Sequence, residues 1–362
     1  MKKLGILTWH YYPNFGSALQ SWALQQSLKN LGYRVDVINY RNPKYGKLDK
    51  KACLKYFLHC IFGRIPLKIC QRFKYPFLHF QKSYLNETKA FTNPHKLIAI
   101  ARRYQAVVYG SDQIWAPNVF NEIYMGGHLP KQANPRRISY AASLGLPYIP
   151  TDLQNTYHHL LHQFHAVSVR EHTGKLLLEN HCNIHAEVVL DPTLLIPIEK
   201  YRQLEKKVLD IPQRYIFCYF LNKEHTYRDK VTAYAKEKKI ELVGISAKAD
   251  DKDWILMPEK IGPQEFLWLI SNAQAVITDS YHGSIFALLY HKPIFCLERF
   301  LTDDPICQNS RIWQLDKYFN IAALIIKHEA NLIDTAYNYE TFEEKLNLYK
   351  EQSLHFLTKA LL

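Results

Sequence analysis

Residues 263–297 read PQEFLWLISNAQAVITDSYHGSIFALLYHKPIFCL. Pro263 suits a first helical position, and the spacing predicts a helix from there to about Asn272. Ala275-Val276-Ile277-Thr278 is short, apolar and β-branched, the pattern of a strand buried on both faces of a parallel sheet. It ends in Asp279-Ser280-Tyr281-His282-Gly283. An apolar helix from Ser284 to about Tyr290 and a strand at Ile294–Leu297 are predicted to follow. In such a unit the loop lies at the carboxyl end of the strand, where open α/β sheets bind ligands. Free amides at the helix start suit an anion.

Working outward, the pattern recurs. Leu4–Trp9 is strand-like and runs into a turn containing Asn14, Gly16 and Ser17. A helix is predicted over Ala18–Leu31, with Gly32 as its stop, and a strand over Arg34–Tyr40. Further strands are expected at Ala106–Tyr109, Arg137–Ala141, Ala166–Val169 and Val188–Leu190, with a helix over His158–Phe164. Polar residues sit at the strand ends: Asp112, Ser143, Arg170 and Asp191. Periodicity lapses between about Leu195 and Gln213, and the domain boundary is placed there. A second set follows, with a strand at Tyr215–Leu221, a helix at Tyr227–Lys238 and a strand at Leu242–Ile245. The expected fold is α/β, with two Rossmann-like domains facing a cleft: residues 1–198, residues 199–339 carrying the DSYHG loop, and a helix at 340–362 packing across both.

Length and charge narrow the function. At 362 residues the chain is comfortable for two domains. Lys+Arg exceed Asp+Glu by 46 − 33 = 13, which favours anionic partners. Ten cations against Asp49 lie in residues 44–82, interleaved with apolar residues. That stretch, within a basic helical insertion at about 44–100, reads either as a solvated helical face or as a contact with an anionic membrane surface. No nucleic-acid motif is present, so nucleic acid is not an expected partner. Seven cysteines form no CxxC pair, which fits reduced thiols, a cytoplasmic protein and no zinc site. His158, His162 and His165 lack a carboxylate at ligand spacing and read as a helix face, so no metal is expected. No signal peptide and no membrane-spanning segment are read.

The chemistry concentrates on His282 and Arg170. His282 sits at a helix start beside Asp279, with Gly283 allowing close backbone approach, and imidazole suits proton transfer near neutrality. Arg170 ends an apolar strand, and its planar fork fits a carboxylate or phosphate. Ser280 either caps the helix or binds an anion. Asp112 is a turn residue or a ligand, and Asn14 and Ser17 flank Gly16 with the same ambiguity. The candidate catalytic pair is thus His282 and Arg170. Asn14, Gly16, Ser17, Asp112, Asp279, Ser280 and Gly283 are the candidate substrate contacts.

Six stretches in order carry a resemblance: NFGSALQSWALQQSLKNLGYRVDVINYR, YGSDQIW, RISYAASLG, VSVRE, LDPTLL and AQAVITDSYHGSIFALLYHKPIF. Together they resemble the polysaccharide pyruvyl transferase family. The resemblance implies a two-domain GT-B-like enzyme that moves pyruvate from phosphoenolpyruvate onto two sugar hydroxyls as a ketal, without metal or redox cofactor. The acceptor it implies is a cell-surface glycan or its lipid-linked precursor, reached from the cytoplasmic side of the membrane. By the same resemblance Arg170 and His282 contact the donor. Some members carry an arginine two places before that histidine; here the place is Ser280, which leaves Arg299 and Arg311 as candidates for a second cation. Two alternatives stay open: a nucleotide-sugar glycosyltransferase of the same architecture, and a non-catalytic glycan- or anion-binding protein.

Overall fold

The computed structural model describes residues 2–42, 69–130, 135–222, 227–247, 249–301, 304, 306–328 and 330–362. The chain opens with β1 (Lys3–Leu7), α1 (Phe15–Asn30) and β2 (Arg34–Val37), then α2 (Ile69–Tyr84) and α3 (His95–Ala101). Next come β3 (Ala106–Tyr109), β4 (Arg136–Ser139), α4 (Thr151–Leu161), β5 (Ser168–Val169), α5 (His172–Cys182), β6 (Glu187–Val188) and the short α6 (Ile198–Arg202). The second half runs β7 (Tyr215–Phe220), α7 (Arg228–Lys238), β8 (Glu241–Ser246), α8 (Pro263–Asn272), β9 (Ala275–Thr278), α9 (Tyr281–Leu289) and β10 (Ile294–Leu297). It closes with α10 (Ser310–Phe319), β11 (Ile325–Ile326) and α11 (Tyr339–Leu361).

Both halves use one strand plan. The first sheet is parallel in the order β2-β1-β3-β4, and bridges at Ile138–Ala166 and Ala142–Val169 carry it on to the paired β5 and β6. The second is parallel in the order β8-β7-β9-β10-β11. In each, the strand order reverses beside the first strand, and such switch points open a crevice at the carboxyl ends of the strands.

α1 joins the halves. A helix on one sheet buries a single stripe, and the sequence places Leu19, Trp22 and Ala23 on one face, widened by Leu24, Leu28 and Leu31. The structure instead buries most of its circumference, including Ser17, Gln20, Ser21 and Gln25. Its first residue, Phe15, stacks on Phe266 of α8 at 4.6 Å between ring centroids and meets Tyr219 of β7 edge-on at 5.6 Å. Each such pair contributes about 0.5–1.5 kcal/mol beyond the area it buries. One apolar cluster therefore runs from Leu4 and Val108 through α1 to Phe217 and Val276. α11 packs on α10, while its Ser353 Oγ accepts from Leu190 N of the first half at 2.9 Å.

Some boundaries differ from the sequence reading. The helix expected from Ser284 begins at Tyr281, because Ser280 takes the N-cap and its hydroxyl accepts from Gly283 N at 3.3 Å. The helix expected from His158 begins at Thr151, with Asp152 in its first turn. α10 was not expected. Of the basic insertion, the structure describes α2 and α3, while Lys44, Lys47, Lys50, Lys51, Lys55, Arg64 and Lys68 lie outside the described residues.

Candidate functional site

The carboxyl ends of the first sheet supply one wall. Beyond β1, Asn14 caps α1 by accepting from Ser17 N at 3.0 Å. That turn frees the Ser17 hydroxyl to donate to Asp112 Oδ2. Asp112, beyond β3, holds φ at +68°, a left-handed conformation that costs a non-glycine residue roughly 1–3 kcal/mol and collects at functional sites. The preceding Ser111 is tied to the β1 end, since Thr8 Oγ1 donates to its carbonyl at 3.0 Å.

Arg170, beyond β5, is the buried cation of this wall. Its Nη1 donates to Asp191 Oδ2 at 2.9 Å. Asp112 and Glu171 carboxylates lie at 3.8 and 3.7 Å, too far for hydrogen bonds, and the Tyr281 ring stacks under the guanidinium at 4.6 Å. Burial works against the charge, but Tyr281 and the three carboxylates reverse that and hold Arg170 protonated.

Asp191, beyond β6, is the hub. Besides Arg170 it accepts from Ser111 Oγ at 3.0 Å, from Thr193 N at 3.0 Å and from Thr193 Oγ1 at 2.7 Å. His282 Nε2 of the other half stands 3.5 Å from Asp191 Oδ2, an ion-pair distance rather than a hydrogen bond. Burial alone raises a carboxyl pKa, yet His282 and Arg170 hold this one well below its ordinary value.

The second sheet supplies the facing wall. His282 lies in the first turn of α9 and is buried between Asp191 and α1. A Cβ on Gly16 would sit 2.0 Å from His282 Nδ1, so the bare glycine is what admits the imidazole. Gly283 likewise leaves room for Thr278, whose Oγ1 would lie 2.6 Å from an added Cβ. Asp279 turns inward: its two oxygens accept from Leu221 N at 2.8 Å and Asn222 N at 2.7 Å, fixing the loop beyond β7. Arg299, beyond β10, donates to the Asp279 carbonyl at 3.0 Å.

Of the residues singled out in the sequence, the structure brings Gly16, Ser17, Asp112, Arg170 and His282 around one point between the sheets. Asn14, Asp279, Ser280 and Gly283 set the backbone there through caps, amide bonds and close packing. Ser111, Glu171 and Tyr281 belong to the same cluster and are not among the sequence candidates. Asp191 belongs to it too; the sequence marks it as a strand-end residue, but an Asp-Pro pair there reads more readily as a turn. Among the described residues no group of three or more His, Cys, Asp or Glu side chains is placed to hold a metal ion.

Several polar atoms of the cluster are left without partners. Arg170 Nε and Nη2, Arg299 Nε and His282 Nε2 are buried and make no hydrogen bond, and neither does Glu171 Oε2, 3.7 Å from Arg170 Nε. Buried polar atoms are nearly always satisfied, and donors orphaned together at facing strand ends suit an anionic ligand.

Because Gly16 admits His282, Gly16→Ala is expected to displace the ring or the start of α1. A shift of about 1 Å in a catalytic group costs roughly 100-fold in turnover, whereas overpacking costs about 1–3 kcal/mol of stability. Turnover and urea unfolding of the variant check this, and normal turnover would sink it.

Two parallel α/β halves meeting at facing strand ends, with a cluster of buried charged side chains between them, define a GT-B-like two-domain protein. The chain belongs to the polysaccharide pyruvyl transferase family, whose profile matches residues 14–299. Among solved structures it is similar to the UDP-GlcNAc 2-epimerase of Methanocaldococcus jannaschii (TM-score 0.51, 13% identity, 96% of this chain and 92% of that one). It is also similar to UDP-GlcNAc 2-epimerase from Neisseria meningitidis (TM-score 0.51, 10% identity, 98% and 94%). At such identities the likeness establishes the fold alone. No curated protein matches the chain.

Proposed function

We propose that the protein transfers pyruvate from phosphoenolpyruvate to two hydroxyls of one sugar in a cell-surface polysaccharide or its lipid-linked precursor. The observation that carries this reading is the set of buried, unsatisfied cationic donors between the halves, in a chain whose family acts on polysaccharides. Phosphoenolpyruvate is a compact polyanion with a carboxylate at one end and a phosphate at the other. Arg170 and the positive end of α9 suit those two groups.

The reaction begins when a sugar hydroxyl adds to C2 of the donor while an acid protonates C3, converting the vinyl group to a methyl group. The hydroxyl proton passes to a base. Phosphate then leaves with its bonding electrons, and the second hydroxyl adds to C2, loses its proton and closes the ketal. His282 is the group suited to move the proton at C3, with the Asp191 carboxylate 3.5 Å from its Nε2. Buried surroundings strengthen electrostatic interactions there. This chemistry needs neither metal nor redox cofactor.

Among the described residues no helix is long and apolar enough to cross a membrane. A lipid-linked acceptor would instead be met at the cytoplasmic surface, with the basic stretch 44–82 against an anionic leaflet.

The test is incubation with phosphoenolpyruvate and candidate glycans, following phosphate release and the mass gain of a pyruvate ketal. One phosphate released per ketal formed is expected. Turnover of a nucleotide sugar, with phosphoenolpyruvate neither bound nor consumed, would overturn the reading.

A further inference from the structure

Arg311 lies in the first turn of α10, 9% exposed. Its described hydrogen bonds go to one neutral residue: Nη2 donates to Gln308 Oε1 at 2.9 Å and Nε to the Gln308 carbonyl at 3.4 Å. No carboxylate of the described residues comes within ion-pair distance of it. Burying a charge without a partner is among the costliest things a fold does, and the start of a helix adds to the cost, since that end of the dipole repels cations.

The surroundings compound the problem. Burial, and after it the charges of Arg170 and Arg299, push the Arg311 guanidinium down to about 9, against the pull of Glu171 and Asp112. Three arginines from both halves thus converge. Arg299 and Arg311 line one small recess together with Tyr281 and Gln308, and the same Tyr281 ring carries Arg170. Arg170 Nε and Nη2 and Arg299 Nε, all buried, make no hydrogen bond; their nearest carboxylates, Glu171, Asp112 and Asp279, stand off at 3.7, 3.8 and 3.7 Å. Gln308 also reaches the first half, accepting from Gln113 Nε2 at 3.0 Å, next to Asp112. Arg311 is therefore held at the junction of the halves, oriented and without a counter-charge at ion-pair distance among the described residues.

We propose that Arg311 is the second cation of the donor site. It takes one anionic end of the ligand while Arg170 takes the other, so that the anion supplies the missing counter-charge and ties the two halves together. The identity of the ligand as phosphoenolpyruvate rests on the pyruvyl-transfer reading; the need for an anion at this point does not. Ser280, which spends its hydroxyl on capping α9, makes no such contribution.

Calorimetric titration of wild type, Arg311→Met and Arg311→Lys with phosphoenolpyruvate and with inorganic phosphate tests this, alongside thermal melting without ligand. Arg311→Met is expected to weaken phosphoenolpyruvate binding roughly 10- to 100-fold, the weight of a hydrogen bond to a charged group, and Arg311→Lys to fall between. Without ligand, Arg311→Met is expected to melt above wild type, because an unpaired buried charge has been removed. A purely structural arginine would give the opposite shift, and a melting point below wild type overturns the proposal. Equal affinity for phosphoenolpyruvate in Arg311→Met and wild type also overturns it, and leaves the pyruvyl-transfer reading standing. Should wild type bind phosphate but not phosphoenolpyruvate, with Arg311→Met weakening phosphate, the anion site stands and the donor reading falls. If wild type binds neither, both fall.

Discussion

Replacing Asp191 by alanine is expected to destabilise the protein by about 3–5 kcal/mol, the cost of stripping a buried charge of its partner. Arg170 has one true hydrogen bond in its cage, the one to Asp191 at 2.9 Å, and the other two carboxylates stand off at 3.7–3.8 Å. The variant also strands Ser111 Oγ and Thr193 Oγ1. A lower urea midpoint at unchanged slope is the expected reading. The double variant Arg170→Met with Asp191→Ala should recover much of the loss, since the uncompensated charge goes with the arginine. A loss below about 1 kcal/mol in the single variant would show that Asp112 and Glu171 suffice to hold Arg170.

Asp191 also sets an acid limit. Its carboxyl is held below its ordinary value of 3.8 in the folded state. A carboxyl depressed by folding adds stability that is fully present above the unfolded value. That stability drains away as pH falls through the folded value. The stability gap between wild type and Asp191→Asn should therefore be widest above about pH 4 and narrow below it. A gap that stays constant from pH 7 down to pH 3 would contradict this.

The fold was legible where periodicity was clean. Pro263–Asn272, Ala275–Thr278 and Ile294–Leu297 lie in the structure as read, because each is buried apolar sequence between strong boundary residues. α10 escaped because its buried side includes Arg311 and Gln314 beside Ile312, Leu315, Tyr318 and Phe319. Two buried polar residues, Arg311 and Gln314, interrupt the apolar stripe that reveals a helix. The helix α1 is legible in the sequence but its packing is not: a helix on one sheet buries one stripe, and this one is buried around most of its circumference because it lies against both halves.

The site was legible through its unusual residues and opaque through its ordinary ones. A cation ending an apolar strand has few bland explanations, so Arg170 stood out. An aspartate before a proline has many, and only the fold shows that Asp191 joins Arg170 to His282. The fit of Gly16 against His282 crosses 266 positions of sequence and depends on the two halves docking. Arg311 drew notice from the sequence only as a spare cation. Its burial, its lack of a counter-charge and its convergence with Arg170 and Arg299 are tertiary facts.

His282→Ala is expected to lower turnover by roughly 10²- to 10⁴-fold, the usual contribution of a positioned proton-transfer group, while leaving the fold intact. The imidazole is buried between Asp191 and α1 and makes no hydrogen bond through Nε2. Its loss leaves a small gap beside Gly16. The pattern of the defect is decisive. A group that acts on the proton at C3 works only in the transition state, so kcat and kcat/KM should fall together. A group that merely grips phosphate works in the ground state as well, and its loss would raise KM with kcat little changed. His282→Gln separates the two further. The amide can still donate a hydrogen bond to an anion but cannot deliver a proton at useful rate, so phosphoenolpyruvate binding should survive while turnover does not. Near-normal turnover by either variant would remove His282 from the chemistry and pass the proton transfer to another side chain of the cluster.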